Sequence, residues 1–282
     1  MTRSDILITA TELADLIASG EPVSVLDVRW ELAEPDGREA HSRGHVPGAV
    51  YVSLDEELSD HNVTGRGRHP LPSGAALQES ARRWGLREGV PVVVYDDWNR
   101  AGSARAWWVL TAAGISDVRI IDGGLAAWTA AGGELETGPV TKEPGTVSVR
   151  HEDLYQGALS TLTADEVTRF QGVLLDARAP ERFRGETEPV DPVAGHIPGA
   201  RNAPSTAALK ADGTFLAETD LTQFFEKRGA AGGEVAVYCG SGVTAAVTIA
   251  ALRAAGVEAK LFPGSWSQWS GETERPVAIG PE

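Results

Sequence analysis

The 282 residues are enough for two domains of about 140 residues, each with its own core. Hydrophobic content of 42% and charged content of 23% are ordinary for a globular protein, and a net charge of −15 argues against a nucleic-acid surface, which needs clustered Lys and Arg. One cysteine, Cys239, excludes an internal disulfide and fits a reducing compartment.

The N-terminal stretch reaches Thr11-Glu12 without a long apolar core or a cleavage site. No uncharged apolar run approaches the roughly 18 residues of a membrane span. A cytoplasmic protein with no membrane partner is expected. Ser4 to Gly20 reads as an opening helix, with Thr near its N-cap and an acidic residue close behind. Short apolar runs at Val23–Asp27, Val50–Tyr51, Val92–Tyr95 and Val118–Ile121 read as strands. Helical patterns at Ala75–Trp84 and Ala101–Ala113 lie between them. Such alternation predicts an α/β fold, a mainly parallel sheet with helices on both faces.

The pattern then repeats. Val25-Leu-Asp27-Val-Arg29 returns as Leu174-Leu-Asp176-Ala-Arg178, and Gly44-His45-Val-Pro47-Gly48 as Gly195-His196-Ile-Pro198-Gly199. Val92-Val-Val-Tyr95 returns as Val235-Ala-Val-Tyr238, and Trp128 as Trp269. The offsets are 149, 151, 143 and 141 residues, so order is kept and only loop lengths differ. Two tandem copies of one domain follow, over 1–136 and 159–282, with a Gly- and Pro-containing linker at 137–158. Trp107, Trp108, Trp128, Trp266 and Trp269 are expected in core and interdomain packing.

The copies differ at one informative place. In the second, a strand ends at Cys239, then Gly240-Ser241-Gly242-Val243-Thr244 leads into an Ala-rich helix. Two glycines let successive N–H groups turn inward, and the helix N-terminus adds positive potential. The loop is suited to hold a sulfur anion. In the first copy the matching residue is Asp96, and the loop after it, Asp97 to Gly102, lacks the Gly-x-Gly cradle. A carboxylate cannot form a persulfide, so the first copy is expected to supply structure and one wall of the second copy's pocket. A cysteine phosphatase would need an arginine six residues after the nucleophile, where Ala245 stands.

Together these residues resemble the rhodanese superfamily in its tandem two-domain sulfurtransferase form, over nearly the whole chain. Gly44-His45-Val46-Pro47-Gly48 and its second-copy counterpart match the GH[IV]PG element. The run Cys239 to Thr244 resembles the CGSGVT loop of the 3-mercaptopyruvate branch rather than the CRKGVT of the thiosulfate branch. The resemblance implies two rhodanese-like domains, the first inactive, and a persulfide carried on Cys239. It implies that Gly240, Gly242, Val243 and Thr244 bind substrate and that Arg182, in Arg182-Phe-Arg-Gly185, anchors the substrate carboxylate. It further implies a relay of Ser241, His69 and Asp55, the last two from the first domain. A second substrate arginine of that branch has no match between Glu186 and Ala194, which leaves Arg184 and Arg201 as candidate replacements. His45 and His196 are expected to stabilise turns.

The implied activity is sulfur transfer from 3-mercaptopyruvate to a thiophilic acceptor: cyanide, a small thiol or a thioredoxin-like protein. No metal and no other cofactor is called for. Two alternatives stand beside it, a thiosulfate:cyanide sulfurtransferase and a non-catalytic persulfide carrier or regulatory module.

Overall fold

A computed structural model describes residues 2–281. The first sheet comprises β1 (Leu7–Ile8), β2 (Ser24–Asp27), β3 (Val50–Tyr51), β4 (Val92–Tyr95) and β5 (Val118–Ile121), in the order β1-β5-β4-β2-β3. The second comprises β6 (Val173–Asp176), β7 (Arg201–Asn202), β8 (Val235–Tyr238) and β9 (Lys260–Leu261), in the order β7-β6-β8-β9. Every strand pair in both sheets is parallel. The registers repeat: Asp27 lies opposite Tyr95, and Asp176 opposite Tyr238.

The N-terminal segment corrects the sequence expectation. Ser4 to Gly20 is not one helix. A short 3-10 turn is followed by β1, and only then by helix α1 (Ala10–Ala18). Ile6, Leu7 and Ile8 are buried, and β1 adds an edge strand beside β5. Thr9 starts the helix there, because its side chain accepts from Glu12 N–H while Glu12 accepts from Thr9 N–H. The second copy repeats the cap with Thr163 and Glu166, ahead of its own helix at Ala164–Arg169. Among the described residues it has no matching strand: Thr161 makes a single bridge to Leu261.

The helix after each central strand decides how the halves meet. In the first copy it spans Ala101–Ala112, and in the second Ala245–Ala254. Both are apolar nearly all round and almost wholly buried, as a helix with no polar face must be. They pack on each other between the two sheets, and one hydrophobic cluster draws residues from both halves. Each follows the carboxyl end of a central strand, so the two loops that precede them are drawn toward the same cleft. All five tryptophans expected in the core are buried. The 137–158 segment is strapped to the first copy: Gly145 N–H donates to Arg82, Thr146 N–H to Leu86, and Arg150 N–H to Ala113.

Candidate active site

The cleft forms a cavity of about 430 Å³. Cys239 lies on its floor at the carboxyl end of β8, only 1% exposed. Its Sγ accepts a 3.1 Å hydrogen bond from Gly242 N–H, and its own N–H donates to Ser265 Oγ. Gly242 has φ +79°, and a Cβ there would come within 2.4 Å of the Pro263 carbonyl oxygen, so the turn accepts only glycine. Gly240, Ser241, Val243 and Thr244 line the cavity with Cys239. Gly242 is not among the lining residues; it faces the sulfur with its N–H and the protein interior with its carbonyl.

The first copy's loop has the same place but a different occupant. Asp96 sits where the cysteine would, and its carboxylate accepts from the N–H groups of Trp98, Arg100 and Ser103 and from Ser103 Oγ. Arg100 closes the site with a 2.9 Å ion pair. This loop holds an anion too, but the anion is its own side chain, so nothing is left for a ligand.

Ser241, His69 and Asp55 come together although they are distant in sequence. His69 Nδ1 lies 2.8 Å from Ser241 Oγ, and Nε2 lies 3.4 Å from Asp55 Oδ1. Asp55 is held in turn by Trp30 Nε1–H at 3.0 Å, and the Trp30 ring packs on the His69 edge. Burial pushes the His69 imidazole below its ordinary range against the opposing pull of Asp55. The hydrogen bond to His69 holds the Asp55 carboxyl below the usual carboxylate range, although burial opposes it.

Arg105 is a participant the sequence reading missed. Its side chain is completely buried and has no carboxylate partner among the described residues. It donates to the carbonyls of Leu58 (2.9 Å), His69 (3.1 Å) and Gly242 (3.2 Å), tying the histidine segment to the cysteine loop. Burial pulls its guanidinium down to about 10. The signal was one arginine in the otherwise uncharged run Ala101–Ala112.

Arg182 lines the cavity from a short helix, Pro180–Phe183. Its guanidinium is held by Glu188 Oε1 at 2.6 Å and by Asp191 Oδ2 at 3.3 Å. Arg178 lies behind it in a 2.7 Å pair with Asp176, over the Trp266 ring. Neither candidate replacement for a second arginine reaches the cavity. Arg184 pairs with Glu186 in solvent, and Arg201 donates to the Arg228 carbonyl. His45 and His196 are buried and bonded to the carbonyls of His41 and Phe183, a turn-holding arrangement.

Comparison with known proteins assigns the fold and the chemistry. The rhodanese-like domain matches twice, at residues 9–131 and 159–272. This chain belongs to the rhodanese family. A Mycobacterium tuberculosis protein named "Putative thiosulfate sulfurtransferase SseB" is 62% identical over 279 residues, covering 99% of this chain and 98% of that protein. A Pseudomonas aeruginosa "Probable 3-mercaptopyruvate sulfurtransferase" is 44% identical, covering 97% of this chain and 98% of that one. Among solved structures, 3-mercaptopyruvate sulfurtransferase from Leishmania major superposes with a TM-score of 0.85 at 31% identity. That match covers 96% of this chain and 76% of the other. The chain is therefore a rhodanese-family sulfurtransferase with two tandem α/β domains. Among its described residues no helix is long and apolar enough to cross a membrane.

Proposed function

We propose that this sulfurtransferase takes sulfur from 3-mercaptopyruvate and passes it, through a persulfide on Cys239, to a small thiophilic acceptor. The observation that carries the reading is the Ser241–His69–Asp55 array behind the cysteine loop. A donor that leaves as an enolate needs a proton on carbon, and a sulfite leaving group does not.

The first half-reaction follows from these positions. The Cys239 thiolate attacks the donor sulfur, a Cys–S bond forms, and the C–S bond breaks with its electron pair left on the methylene carbon. Ser241 Oγ–H donates to neutral His69 Nδ1 and accepts the proton of the donor thiol. The same proton inventory then returns through Ser241 to the enolate carbon. Thiolate and mercaptopyruvate thus give cysteine persulfide and pyruvate, with no net proton taken up. Asp55 stabilises the transient imidazolium and keeps the histidine in the tautomer with a free Nδ1. The Gly242 N–H contacts the sulfur before reaction and needs no reorganisation as charge shifts. Arg182 receives the keto acid carboxylate. Cyanide, a small thiol or a thioredoxin-like protein then attacks the outer sulfur, which makes the kinetics ping-pong. A reducing compartment such as the cytoplasm suits a catalyst whose single cysteine must stay unoxidised.

The name of the 62%-identical relative favours thiosulfate as an alternative donor. Cyanide-coupled turnover with each donor, on wild type and Cys239→Ser, decides between them. We expect 3-mercaptopyruvate to be preferred by about tenfold or more in kcat/KM, a difference of about 1.4 kcal/mol, and Cys239→Ser to be inactive with both. Preference for thiosulfate refutes the donor assignment. An inactive wild type with labelled persulfide on Cys239 supports a carrier instead.

A further inference from the structure

Arg105 brings to the site a charge that no carboxylate answers. It comes from the first-domain helix Ala101–Ala112 and is wholly buried. Every acceptor it meets among the described residues is a neutral carbonyl: Leu58, His69 and Gly242, with Pro70 at 3.5 Å. The other cations near the sulfur are neutralised. Of those lining the cavity with Cys239, Arg178 pairs with Asp176, Arg182 with Glu188, and Arg68 with Asp191. Burial keeps the His69 imidazole below its ordinary range. The acid that lines the cavity, Glu31, is exposed to solvent.

A buried cation is costly unless an anion offsets it. Two groups act on Arg105 through their charge, Tyr155 and Cys239. Burial holds the Tyr155 phenol above its ordinary range, so it stays neutral, and its oxygen already accepts from Leu71 N–H. Cys239 is then the group that can supply the negative charge. The path to it is short. Arg105 Nη1 donates to the Gly242 carbonyl at 3.2 Å, and the N–H of the same glycine donates to Cys239 Sγ at 3.1 Å. Guanidinium and sulfur are therefore within about 10 Å of each other, since one residue spans about 3.6 Å at most. At an effective dielectric of about 20, unit charges that far apart shift a proton equilibrium by about one pH unit.

We propose that Arg105 is the fixed counter-charge of the sulfur anion on Cys239, thiolate before the donor reacts and persulfide after, and that it acts as a positioning residue through Gly242. The inference rests on Cys239 as the sulfur carrier and on neither donor. A carboxylate beside Arg105 would cancel the charge in advance; a ring of carbonyls holds the guanidinium still and leaves its charge for the sulfur. The first domain thus reaches the nucleophile from beneath its loop, without entering the cavity: Arg105 is not among the lining residues.

The test reads the sulfur directly. Alkylation of Cys239 by iodoacetamide is followed from about pH 5 to about pH 9 in wild type, Arg105→Gln and Arg105→Lys, with Cys239→Ser as the blank. That range stays below the titration of the guanidinium itself, which burial pulls down to about 10. The midpoint of the rate profile should rise by about one unit in Arg105→Gln. In Arg105→Lys, which keeps the charge and loses the fork, it should stay within about 0.3 unit of wild type. An unmoved midpoint in Arg105→Gln overturns the proposal. So does an equal rise in Arg105→Lys, which marks a merely structural loss of the Gly242 contact. A second measurement leaves Arg105 untouched, in case Arg105→Gln does not fold: urea unfolding of wild type and Cys239→Ser. An anion favoured in the fold stabilises above the unfolded thiol's midpoint and ceases to as pH falls through the folded one. The unfolding constant of wild type relative to Cys239→Ser should therefore fall about tenfold between about pH 5 and about pH 9; a ratio independent of pH overturns the proposal. If wild-type Cys239 takes up sulfur from neither 3-mercaptopyruvate nor thiosulfate, the reading of Cys239 as nucleophile fails and this one with it. If it loads sulfur and only the midpoint is unmoved, this proposal fails alone.

Discussion

Replacing Asp55 with asparagine tests the proton relay at its least disruptive point. Asn keeps the shape of Asp and can still accept from Trp30 Nε1–H. What it removes is the negative charge 3.4 Å from His69 Nε2. At that distance, with an effective dielectric of about 20, a carboxylate stabilises an imidazolium by about 5 kcal/mol. Asp55 is 33% exposed, so solvent screening reduces this to about 2 kcal/mol. An imidazolium that forms only during sulfur transfer loses that stabilisation in the transition state alone. We therefore expect Asp55→Asn to lower kcat by about thirtyfold with little change in KM. The pH profile supplies a second readout. The relay needs neutral His69, so activity falls on the acid side as the imidazole takes up a proton, and burial already places that limb below the ordinary histidine range. Asp55 pulls the imidazole upward, so removing its charge moves the acid limb to still lower pH. The assay is cyanide-coupled turnover of 3-mercaptopyruvate across the acid range. A kcat within about threefold of wild type, roughly 0.7 kcal/mol, or an acid limb that moves upward, refutes the relay.

Two further substitutions probe the frame around the sulfur. Gly242→Ala forces a Cβ toward the Pro263 carbonyl in a left-handed turn, so the loop shifts and its N–H leaves Sγ. Persulfide formation should slow by about a hundredfold, and a stopped-flow rate within threefold of wild type contradicts the cradle. Arg178→Met removes the partner of Asp176, a carboxylate whose side chain is 0% exposed. Burial works against the charge of Arg178, and Asp176 more than offsets it, holding the guanidinium above its ordinary range. Breaking this pair should cost about 3–5 kcal/mol of stability; a urea midpoint that barely moves would show the pair to be dispensable.

The fold was legible because the chain states it twice. Parallel strands, their order along the chain and the buried Asp–Arg–Tyr frame at Asp27, Arg29 and Tyr95 recur with Asp176, Arg178 and Tyr238, and local apolar runs sufficed to place them. The first strand was not legible: three apolar residues ahead of a helix share its periodicity, and only the Thr9 cap separates them. In the site, Cys239 and its loop were legible from local residue types, since turn, sulfur and helix start are contiguous. Glu188 and Asp191 were not, because their significance comes from contacts across a loop, and Arg105 left only one hint, a lone arginine in an otherwise uncharged run, since its partners lie far off in sequence.

Those contacts change what the first domain is. Asp96 fills its own cradle, so as a sulfur carrier that half is closed. A half kept only for structure would need to present an apolar wall. Instead its loops bring His69 to Ser241 of the other half, with Asp55 behind it, and its buried helix delivers Arg105 to the carbonyl of Gly242. Each half ends a central strand in a loop, and both loops open on one cleft beside the two packed helices. In that cleft one half keeps the nucleophile, and on the proposed mechanism the other half's side chains serve as its proton relay. The tight, mostly apolar packing of the two helices suits that proposed relay: slack there would be felt as a displacement between His69 and Ser241, of which proton transfer tolerates little.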